Sequence, residues 1–427
     1  MATKAGWARV CFDVPEGVLL AGYGGEKPRG SGGTHDPLRV RVLTLEQGGR
    51  RFCMASCDIL ALDAGFAETL AVKAGAWGVA EEDFFIAATH THSGPGGLFC
   101  GDRDFGALLE LVMGRHDPAL TNIFEGCVLS AVEASVRNMR PCTLSSSVLK
   151  SPGIGGNRNA PGRPGDGYLT VLRVETGDGD RVLLYSTACH PTVLSAENLL
   201  VSADFPGETS RLLERGAVKA ALFFNGSAGD VSTRHTRRGA GFEEVRRLAR
   251  LLARQVTAAD RAARPEDAVL KSSRVDVRLA VRRGPDTARA AETLYRLQAE
   301  FEAAKNGGGS GLRTLEARCE GAMLGLLYSR HQPQARSRTV TVRFLQAGPV
   351  VFAFFPVELF SALSNPLREQ MPWFVPVSYA GGYLGYLPDA AIEGTDNYEK
   401  YTTVFAYDQG EKLMAEVKRH LEERYAK

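Results

Sequence analysis

The fold and the chemistry of this chain are both indicated by one stretch, Phe84-Phe85-Ile86-Ala87-Ala88-Thr89-His90-Thr91-His92-Ser93-Gly94-Pro95-Gly96-Gly97. Its leading apolar residues predict a β-strand that is covered on both faces, and the glycines and proline that follow predict a turn. His90 and His92 therefore stand at the end of a buried strand. One imidazole could bind a metal ion while the other acts on a substrate. A pair of hydrogen-bonded loop histidines is the alternative interpretation.

A second predicted strand also ends in histidine. Residues 182–188 form an apolar run, and Cys189, His190 and Pro191 follow it directly. The chain contains only 8 histidines, so two buried strands that end in histidine exceed what composition alone would give. This second occurrence favours metal chemistry at the first.

A loop of small residues follows another predicted strand, at 220–224. It reads Asn225-Gly226-Ser227-Ala228-Gly229-Asp230-Val231-Ser232. Small residues let the backbone approach a ligand, and they leave room for Asn225 and Ser232 to face it. Many loops are rich in glycine and serine, so this segment is weak support when taken alone.

The C-terminal part of the chain adds a carboxylate and two tyrosines. Glu358 comes just after a predicted strand at 350–355; the ordinary interpretation is an acidic residue in a first helical turn, where the helix dipole favours it. Tyr386 and Tyr398 lie in an aromatic, glycine-rich stretch. By default that stretch is a surface loop with buried rings.

The order of predicted elements indicates the fold class. Strand-like runs occur at 39–45, 52–57, 84–89, 168–174, 182–188, 220–224, 339–345 and 350–355, and helical patterns occur at 64–74, 121–138, 208–215 and 242–263. This alternation predicts an α/β fold with mixed β-sheets and helices outside. Segments 287–304 and 312–329 predict a helical hairpin with a glycine-rich connection. Since no internal repeat or linker is visible, we expect one catalytic domain, 1–427, with a hairpin insertion at 285–330.

Composition excludes some classes of function. The 427 residues are 44% hydrophobic and 23% charged, with a formal net charge of +2. Such a balance gives no reason to expect a nucleic-acid partner, and no run approaches the roughly 20 apolar residues of a membrane span. The N-terminus lacks the apolar core of a signal peptide, and the 8 cysteines are scattered as reduced, packed thiols usually are. We therefore expect a cytoplasmic protein.

These pieces resemble one known family. The octapeptide His90-Thr91-His92-Ser93-Gly94-Pro95-Gly96-Gly97 is similar to the signature of the neutral (alkaline, non-lysosomal) ceramidases, and Asn225 to Ser232 resembles their Gly-Asp/Asn-hydrophobic-Ser segment. His190, Glu358, Tyr386 and Tyr398 follow in the family's order, and the two tyrosines have the family's spacing. The resemblance runs from about residue 6 to residue 408.

The resemblance implies a ligand set, a cofactor and a reaction. The zinc ligands would be His90, His190, Glu358 and Tyr386. The enzyme would be a zinc-dependent amidohydrolase that cleaves the amide bond of ceramide or of a smaller N-acyl compound with metal-activated water, a role in lipid metabolism. Imidazole, carboxylate and phenolate groups are reasonable donors to such a zinc ion.

The same resemblance assigns roles to four other residues. His92 would be the proton shuttle, Arg158 and Tyr398 would stabilise the oxyanion, and Ser232 matches a serine that either attacks or orients the substrate. His-x-His spacing alone would put His90 and His92 on the same side of a regular strand, so the turn that begins at Ser93 is expected to re-aim His92.

The chain also departs from the family's pattern. The serine loop continues with Thr233-Arg234 in place of Pro-Asn, and Arg158 is followed by Asn159-Ala160 in place of Ser-Pro. We expect a bacterial-type member without the family's signal sequence and C-terminal β-sandwich domain, so the zinc machinery is better supported than ceramide specificity. Two rival interpretations stay open: a zinc-dependent esterase or lactonase that uses the same site, and a non-catalytic metal-binding scaffold.

Overall fold

The computed structural model describes residues 2–23, 29–100, 110, 112–150, 154–162, 165–307 and 311–425. Within them the strands, numbered β1 to β17 in chain order, are Thr3–Phe12, Leu38–Gln47, Arg50–Cys57, Val79–Ala88, Arg140–Lys150, Gly156–Asn157, Tyr168–Thr176, Arg181–Thr187, Val218–Asn225, Val231–Ser232, Arg264–Glu266, Leu270–Ala280, Ser337–Ala347, Val350–Phe354, Glu358–Leu359, Phe374–Val377 and Tyr386–Leu387. The α-helices, numbered α1 to α9 likewise, are Ala64–Ala74, Pro118–Arg137, Asp204–Leu213, Phe242–Ala262, Thr287–Asn306, Leu312–Arg330, Ser361–Gln370, Tyr398–Thr402 and Gln409–Tyr425.

Two mixed sheets form the centre of the molecule. The larger has the strand order β4-β3-β2-β1-β5-β7-β8-β9, with β11 added beside β5, and the smaller has the order β12-β13-β14-β16. Three pairs, β3 with β4, β8 with β9, and β14 with β16, are parallel. The other pairs within the two sheets are antiparallel.

The same order of elements occurs three times along the chain. Three antiparallel strands are followed by a helix, by a strand parallel to the third, and by a second helix. The units are β1-β2-β3-α1-β4-α2, then β5-β7-β8-α3-β9-α4, then β12-β13-β14-α7-β16-α9. In each unit a tight turn joins the second and third strands, whereas the connection from the first strand to the second is long. The sequence shows no repeat because only the topology is repeated.

The helices and sheets stack in four layers. One face of the larger sheet packs on the smaller sheet through a shared core that includes Phe85, Phe224, Phe352 and Phe354. The opposite face of the larger sheet is covered by α1 and α2 over one half and by α3 and α4 over the other. Helices α7 and α9 cover the outer face of the smaller sheet. The predicted α/β class, with mixed sheets and helices outside, is confirmed.

This topology brings several strand ends to one place. Within a unit the first, third and fourth strands run in the same direction, so their carboxyl ends lie at the same edge of the sheet. Among the described residues, the strand pairing between the two halves of the larger sheet is limited to Lys4–Pro141 and Ala5–Arg140, which lets the sheet fold back on itself. As a result β9 lies beside β3, and the Ser56 hydroxyl donates a hydrogen bond of 2.7 Å to the Phe223 carbonyl.

Sequence patterns located the buried strands better than the half-exposed ones. The predicted helix at 64–74 matches α1 residue for residue. The sequence analysis missed β1, β5, β12 and β16, since most of these strands alternate polar and apolar residues or lie at an edge. The predicted hairpin helices correspond to α5 and α6; residues 308–310 of their connection lie outside the described residues.

One helix of the described part of the chain, α2 (Pro118–Arg137), is long and apolar enough by length and composition to cross a membrane. This is weak support for a membrane role, because core helices pass the same test. Leu120, Phe124, Val128 and Val132 of α2 are buried against the larger sheet.

Candidate active site and metal centre

His90 leaves the end of β4 in an unusual backbone conformation. Of the residues that the structure describes, three other than glycine have positive φ: His90 at 72°, Asp204 at 52° and Tyr379 at 58°. Such conformations cost about 1–3 kcal/mol and concentrate at functional sites. The chain therefore already changes direction at His90, before the turn at Ser93 that was expected to re-aim the second histidine.

Three donor atoms form a compact triangle at these strand ends. The Nε2 atoms of His90 and His190 lie 3.2 Å apart, and Oε2 of Glu358 lies 3.1 Å from the His190 atom and 3.5 Å from the His90 atom. Two donors at the zinc–ligand bond length of about 2.0–2.1 Å are separated by roughly 3.3 Å in a tetrahedral site. The triangle thus has the dimensions of three corners around one zinc ion.

Backbone carbonyls decide which ring nitrogens face the centre of this triangle. His90 Nδ1 lies 2.8 Å from the Leu60 carbonyl oxygen, and His190 Nδ1 lies 2.7 Å from that of Ala228. A carbonyl only accepts hydrogen bonds, so each Nδ1 must donate its proton. In the neutral rings both Nε2 atoms then carry lone pairs, and no hydrogen bond joins them. Two lone pairs that face each other at this distance can bind one cation together, so this donor set fits a metal ion.

The electrostatics favour a neutral His190 imidazole and an ionised Glu358 carboxylate. Burial lowers the pKa of the His190 imidazole to about 4, and the nearby Arg158 guanidinium acts in the same direction. Burial alone would raise the pKa of the Glu358 carboxyl, but His90 and His190 hold it well below its usual range. Neutral imidazole and ionised carboxylate are the protonation states that bind a metal ion.

Two tyrosines that the sequence analysis missed hold Glu358 in place. The Tyr383 hydroxyl donates to Oε1, and the Tyr379 hydroxyl donates to Oε2 at 3.3 Å. The Tyr379 ring also stacks on the His90 imidazole, with 3.8 Å between ring centroids. Both tyrosines lie in the aromatic stretch that includes Tyr386, but no pattern in that stretch distinguishes a tyrosine that contacts the site from one that only packs.

His92 belongs to the same cluster but is held differently. Its Nε2 lies 3.3 Å from that of His90, and the three histidines together form a buried group able to hold a metal ion. The His92 Nδ1 atom is buried and has no hydrogen-bond partner among the described residues. Gly22 packs against this ring so closely that a Cβ there would lie 2.5 Å from Nδ1. Packing therefore holds His92, and no carbonyl fixes its tautomer.

Arg158 is fixed by a buried carboxylate. Its Nε donates to Oε1 of Glu399 at 2.7 Å, and its Nη2 donates to the Tyr386 hydroxyl at 3.0 Å. The Tyr386 ring is nearly parallel to the His190 imidazole, with centroids 6.5 Å apart, and the Tyr398 ring stands edge-on to Tyr386 at 5.8 Å. The sequence analysis missed Glu399 as a functional residue, although it directly follows Tyr398.

Ser232 lies beside the cluster through backbone pairing. The short strand β10 that carries Ser232 forms an isolated bridge with His190, and its hydroxyl oxygen accepts a hydrogen bond of 3.2 Å from the backbone N–H of Arg234. The structure thus brings all eight predicted residues to one region. For Tyr386 and Ser232 it shows proximity to the cluster through ring and backbone contacts.

Two cavities of different character meet at this region. The smaller, of about 80 Å³, reaches His90, His92 and Glu358. Its apolar lining consists mainly of Leu60, Val112, Met113, Leu324, Leu384 and Val404. The larger, of about 410 Å³, is polar and is lined by Arg158, Ser232 and several further arginines and glutamates. Both cavities are bounded by His92 and Tyr398.

Comparison with known proteins agrees with the predicted resemblance. No family model matches the chain. The neutral ceramidase of Mycobacterium tuberculosis is 26% identical over 217 residues, which are 46% of this chain and 33% of that protein. The match therefore spans about a third of the relative's length. The predicted resemblance to the neutral ceramidase family is confirmed by this match.

Solved structures extend the similarity of fold to nearly the whole chain. The neutral ceramidase of Pseudomonas aeruginosa superposes with a TM-score of 0.78 at 18% identity, covering 99% of this chain and 75% of that one. A ceramidase complexed with C2 superposes with a TM-score of 0.76 at 16% identity, covering 99% and 76%.

Proposed function

On the premise that this chain is similar to neutral ceramidases in sequence and in fold, we propose that it is a zinc-dependent hydrolase of the amide bond in an N-acyl compound. The observation that carries the proposal is the triangle of His90 Nε2, His190 Nε2 and Glu358 Oε2, with edges of 3.1–3.5 Å. These three residues would hold the zinc ion, with the Tyr386 phenolate as the fourth protein ligand.

When bound, zinc would polarise the amide carbonyl and make water more acidic. The chain's own residues would do the rest. His92 can move a proton, because its ring lies beside the donor triangle and its Nδ1 is not tied to a carbonyl. Its natural task is to deliver a proton to the departing amine nitrogen. Ser232 lines the polar cavity with His92 and would orient the substrate.

Arg158 and Tyr398 would stabilise the negative charge that develops on the carbonyl oxygen. Glu399 and Tyr386 fix the guanidinium before any substrate arrives, which is the preorganisation that makes such donors effective. One donor of this kind is worth roughly 3 kcal/mol of transition-state stabilisation. The buried pair therefore supports a catalytic use of Arg158, since a scaffold would not need a cation fixed beside the metal ligands.

Two histidine variants test the proposal. His90→Ala should lose the zinc ion and all turnover. His92→Ala should retain the zinc, but its rate of amide cleavage should fall by a factor of about 10²–10⁴. Elemental analysis of the purified proteins and hydrolysis of an N-acyl amide are the measurements. Equal zinc loss in both variants would contradict the roles assigned to the two rings. Absence of metal from the wild-type protein would remove the basis of the mechanism.

A comparison of ester and amide substrates distinguishes the proposed amidohydrolase from the alternative esterase or lactonase. A matched ester and amide with the same acyl group should both be cleaved if amide hydrolysis is the function. Cleavage of the ester with no detectable cleavage of the amide would favour the alternative. The scaffold alternative is disfavoured because His92, Arg158, Ser232 and Tyr398 line the larger cavity although none of them is required to hold the ion.

We also propose that the chain acts in the cytoplasm, as a single catalytic domain. All 8 cysteines are free thiols, which suits a reducing compartment. The three topological units share one edge where their strand ends meet, which supports one catalytic unit. Localisation of a tagged protein and limited proteolysis are the corresponding measurements.

A further inference from the structure

Arg234 is the feature of the active-site region that the proposed reaction does not use. It lies two positions after Ser232, where the chain departs from the ceramidase pattern, and it lines the larger cavity together with His92 and Arg158. Its guanidinium makes no ion pair or hydrogen bond with any described residue, although the side chain is half-buried. A partly buried cation that pairs with no described residue is costly, so this position is suited to bind an anion.

The two carboxylates whose charges act most on Arg234, those of Glu320 and Glu399, already have partners. Glu320 receives a hydrogen bond of 3.0 Å from Arg313, and Glu399 receives one of 2.7 Å from Arg158. Burial, reinforced by the positive charges of Arg158 and Arg313, lowers the pKa of the Arg234 guanidinium to about 10. Glu320 and Glu399 oppose this shift, but the hydrogen bonds that they accept come from Arg313 and Arg158 and not from Arg234.

The other arginines of this cavity add positive charge. Arg237 donates to the carbonyls of Thr192 and Val193 at 2.7 and 3.1 Å, which leaves its charge uncompensated. Arg318 makes no ion pair within the described part of the chain, and its Nε lacks a hydrogen-bond partner there. Among the acidic residues of the lining, Glu197 alone makes no ion pair with a described residue, and it is exposed. Cations without a carboxylate partner thus outnumber free carboxylates.

Resting on the proposed function, we propose that the amine half of the substrate carries a carboxylate, so that the enzyme hydrolyses N-acyl amino acids. The acyl chain would occupy the apolar cavity beside Leu324 and Leu384, and the carboxylate would pair with Arg234 in the polar one. The scissile amide would then lie at His92 and Tyr398, which border both cavities. A single carboxylate is favoured over a dianionic phosphate because Glu197 and Glu316 line the same cavity.

The reaction balances with water as the only co-reactant. The bond between the carbonyl carbon and the amide nitrogen breaks, and the water oxygen bonds to that carbon. One proton goes to the nitrogen, so the products are a carboxylic acid and a free amino acid. Arg234 acts on neither the broken bond nor the formed one; it is a specificity residue that positions the amino-acid half.

The test compares two substrates that differ only in charge, N-octanoyl-L-alanine and N-octanoyl-L-alaninamide. The wild-type enzyme should prefer the carboxylate at least tenfold in kcat/KM, as expected for a hydrogen bond to a charged group. In Arg234→Gln that ratio should fall towards one. Arg250→Gln is the charge-matched control, because Arg250 is exposed on α4, and it should keep the wild-type ratio.

Binding without turnover separates this inference from the proposed function. The uncleavable sulfonamide N-octylsulfonyl-L-alanine should bind the wild-type protein at least tenfold more tightly than its carboxamide, and Arg234→Gln should abolish the difference in Kd measured by calorimetry. If the alaninamide is cleaved as fast as the alanine compound, or if N-octanoyl-phosphoethanolamine is cleaved faster than either, the inference is overturned and the hydrolase stands. If no amide is cleaved but the binding ratio holds, the proposed function fails and the anion site remains.

Discussion

At the scale of single residues, hydrogen bonds to the protein decide what the site can do. The carbonyls of Leu60 and Ala228 fix the tautomers of His90 and His190, and the hydroxyl groups of two tyrosines orient Glu358. Partners of this kind usually affect metal affinity and activity almost as strongly as the ligands do. The candidate metal centre therefore extends well beyond the residues that would touch the ion.

Glu399 provides a test of this dependence. Glu399→Gln removes the charge that holds Arg158, so we expect kcat to fall by at least about tenfold while the zinc content stays unchanged, since Arg158 no longer sits where negative charge develops. The free energy of unfolding should also decrease, because a buried guanidinium loses its counter-ion. Steady-state kinetics well below the melting temperature and elemental analysis measure these effects. Glu393→Gln, an exposed neighbour, is the control, and equal losses in both variants would contradict the prediction.

Asp204 gives a prediction about pH. Burial raises the pKa of its carboxyl from 3.8 to about 6, against hydrogen bonds from the backbone N–H groups of Phe205 and Leu194. The folded state thus binds this proton more tightly than the unfolded state. The resulting stabilisation is complete below about pH 3.8 and is lost as the pH rises through 6, a change of at most about 3 kcal/mol.

Asp204→Asn should lack that dependence, and asparagine tolerates the positive φ of this position. The difference in unfolding free energy between the wild-type protein and the variant should therefore shift in favour of the variant from pH 4 to pH 7. Denaturant melts of both proteins at several pH values measure this difference. A difference that is constant across the range would show that the Asp204 carboxyl titrates normally in the folded protein.

At the scale of elements, the hairpin helix α6 forms part of the wall of the site. Gly321 lies against the backbone of Tyr398, and a Cβ at Gly321 would come within 2.9 Å of the Tyr398 Cα. Leu324 and Tyr328 of the same helix line the apolar cavity. The hairpin, which sequence analysis recognised only as an insertion, thus contacts the loop that carries an oxyanion-stabilising candidate.

This contact predicts opposite effects for two substitutions that are chemically identical. Gly126→Ala on α2 has no neighbour within 4 Å, so it should stabilise the protein by about 0.5–1 kcal/mol through helix propensity. Gly321→Ala should instead destabilise it and lower kcat, because the new methyl group must displace α6 from Tyr398. Thermal melts and kinetics of both variants decide the matter. Stabilisation by both would mean that α6 is free to move away from the site.

At the scale of the whole molecule, the triple topology explains why so many functional residues meet. In each unit the long connection leaves the first strand at the edge where the third and fourth strands end. These connections carry Gly22 in the first unit, Arg158 in the second and the helical hairpin in the third, and all three line the polar cavity. His90, His190 and Glu358 follow the ends of β4, β8 and β14 at the same edge.

A metal ion held by such distant segments should stabilise the entire fold. His90, His190 and Glu358 come from three topological units, so removal of zinc should lower the melting temperature by several degrees. A ligand present at about 1,000 times its Kd adds roughly 4 kcal/mol to the free energy of unfolding. A thermal melt with and without a chelator measures this effect. His90→Ala should show no response to the chelator. An unchanged wild-type melting temperature would mean that no ion links these segments.

The sequence by itself determined the fold class, most buried strands and the identity of the principal candidate residues. Apolar runs and turn residues are local signals. A short motif such as His90 to Gly97 can likewise be recognised from its own residues, without knowledge of the residues that it contacts in the fold. The half-exposed strands were missed because polar and apolar residues alternate along them. Tyr379, Tyr383 and Glu399 carried no local signal, since each matters only through a partner far away in the chain.

Only the tertiary structure decided how these residues act together. The positive φ of His90, the carbonyls that select its tautomer and the 3.2 Å separation from His190 depend on contacts between strands from different units. The Arg234 guanidinium, which pairs with no described residue, likewise depends on its surroundings, because Glu320 and Glu399 are bound by other arginines. Residue types and their order are written in the chain. The direction of each side chain, its hydrogen-bond partners and the charges left without a counter-ion are set when distant segments pack. They depend on atoms that are far apart in the sequence.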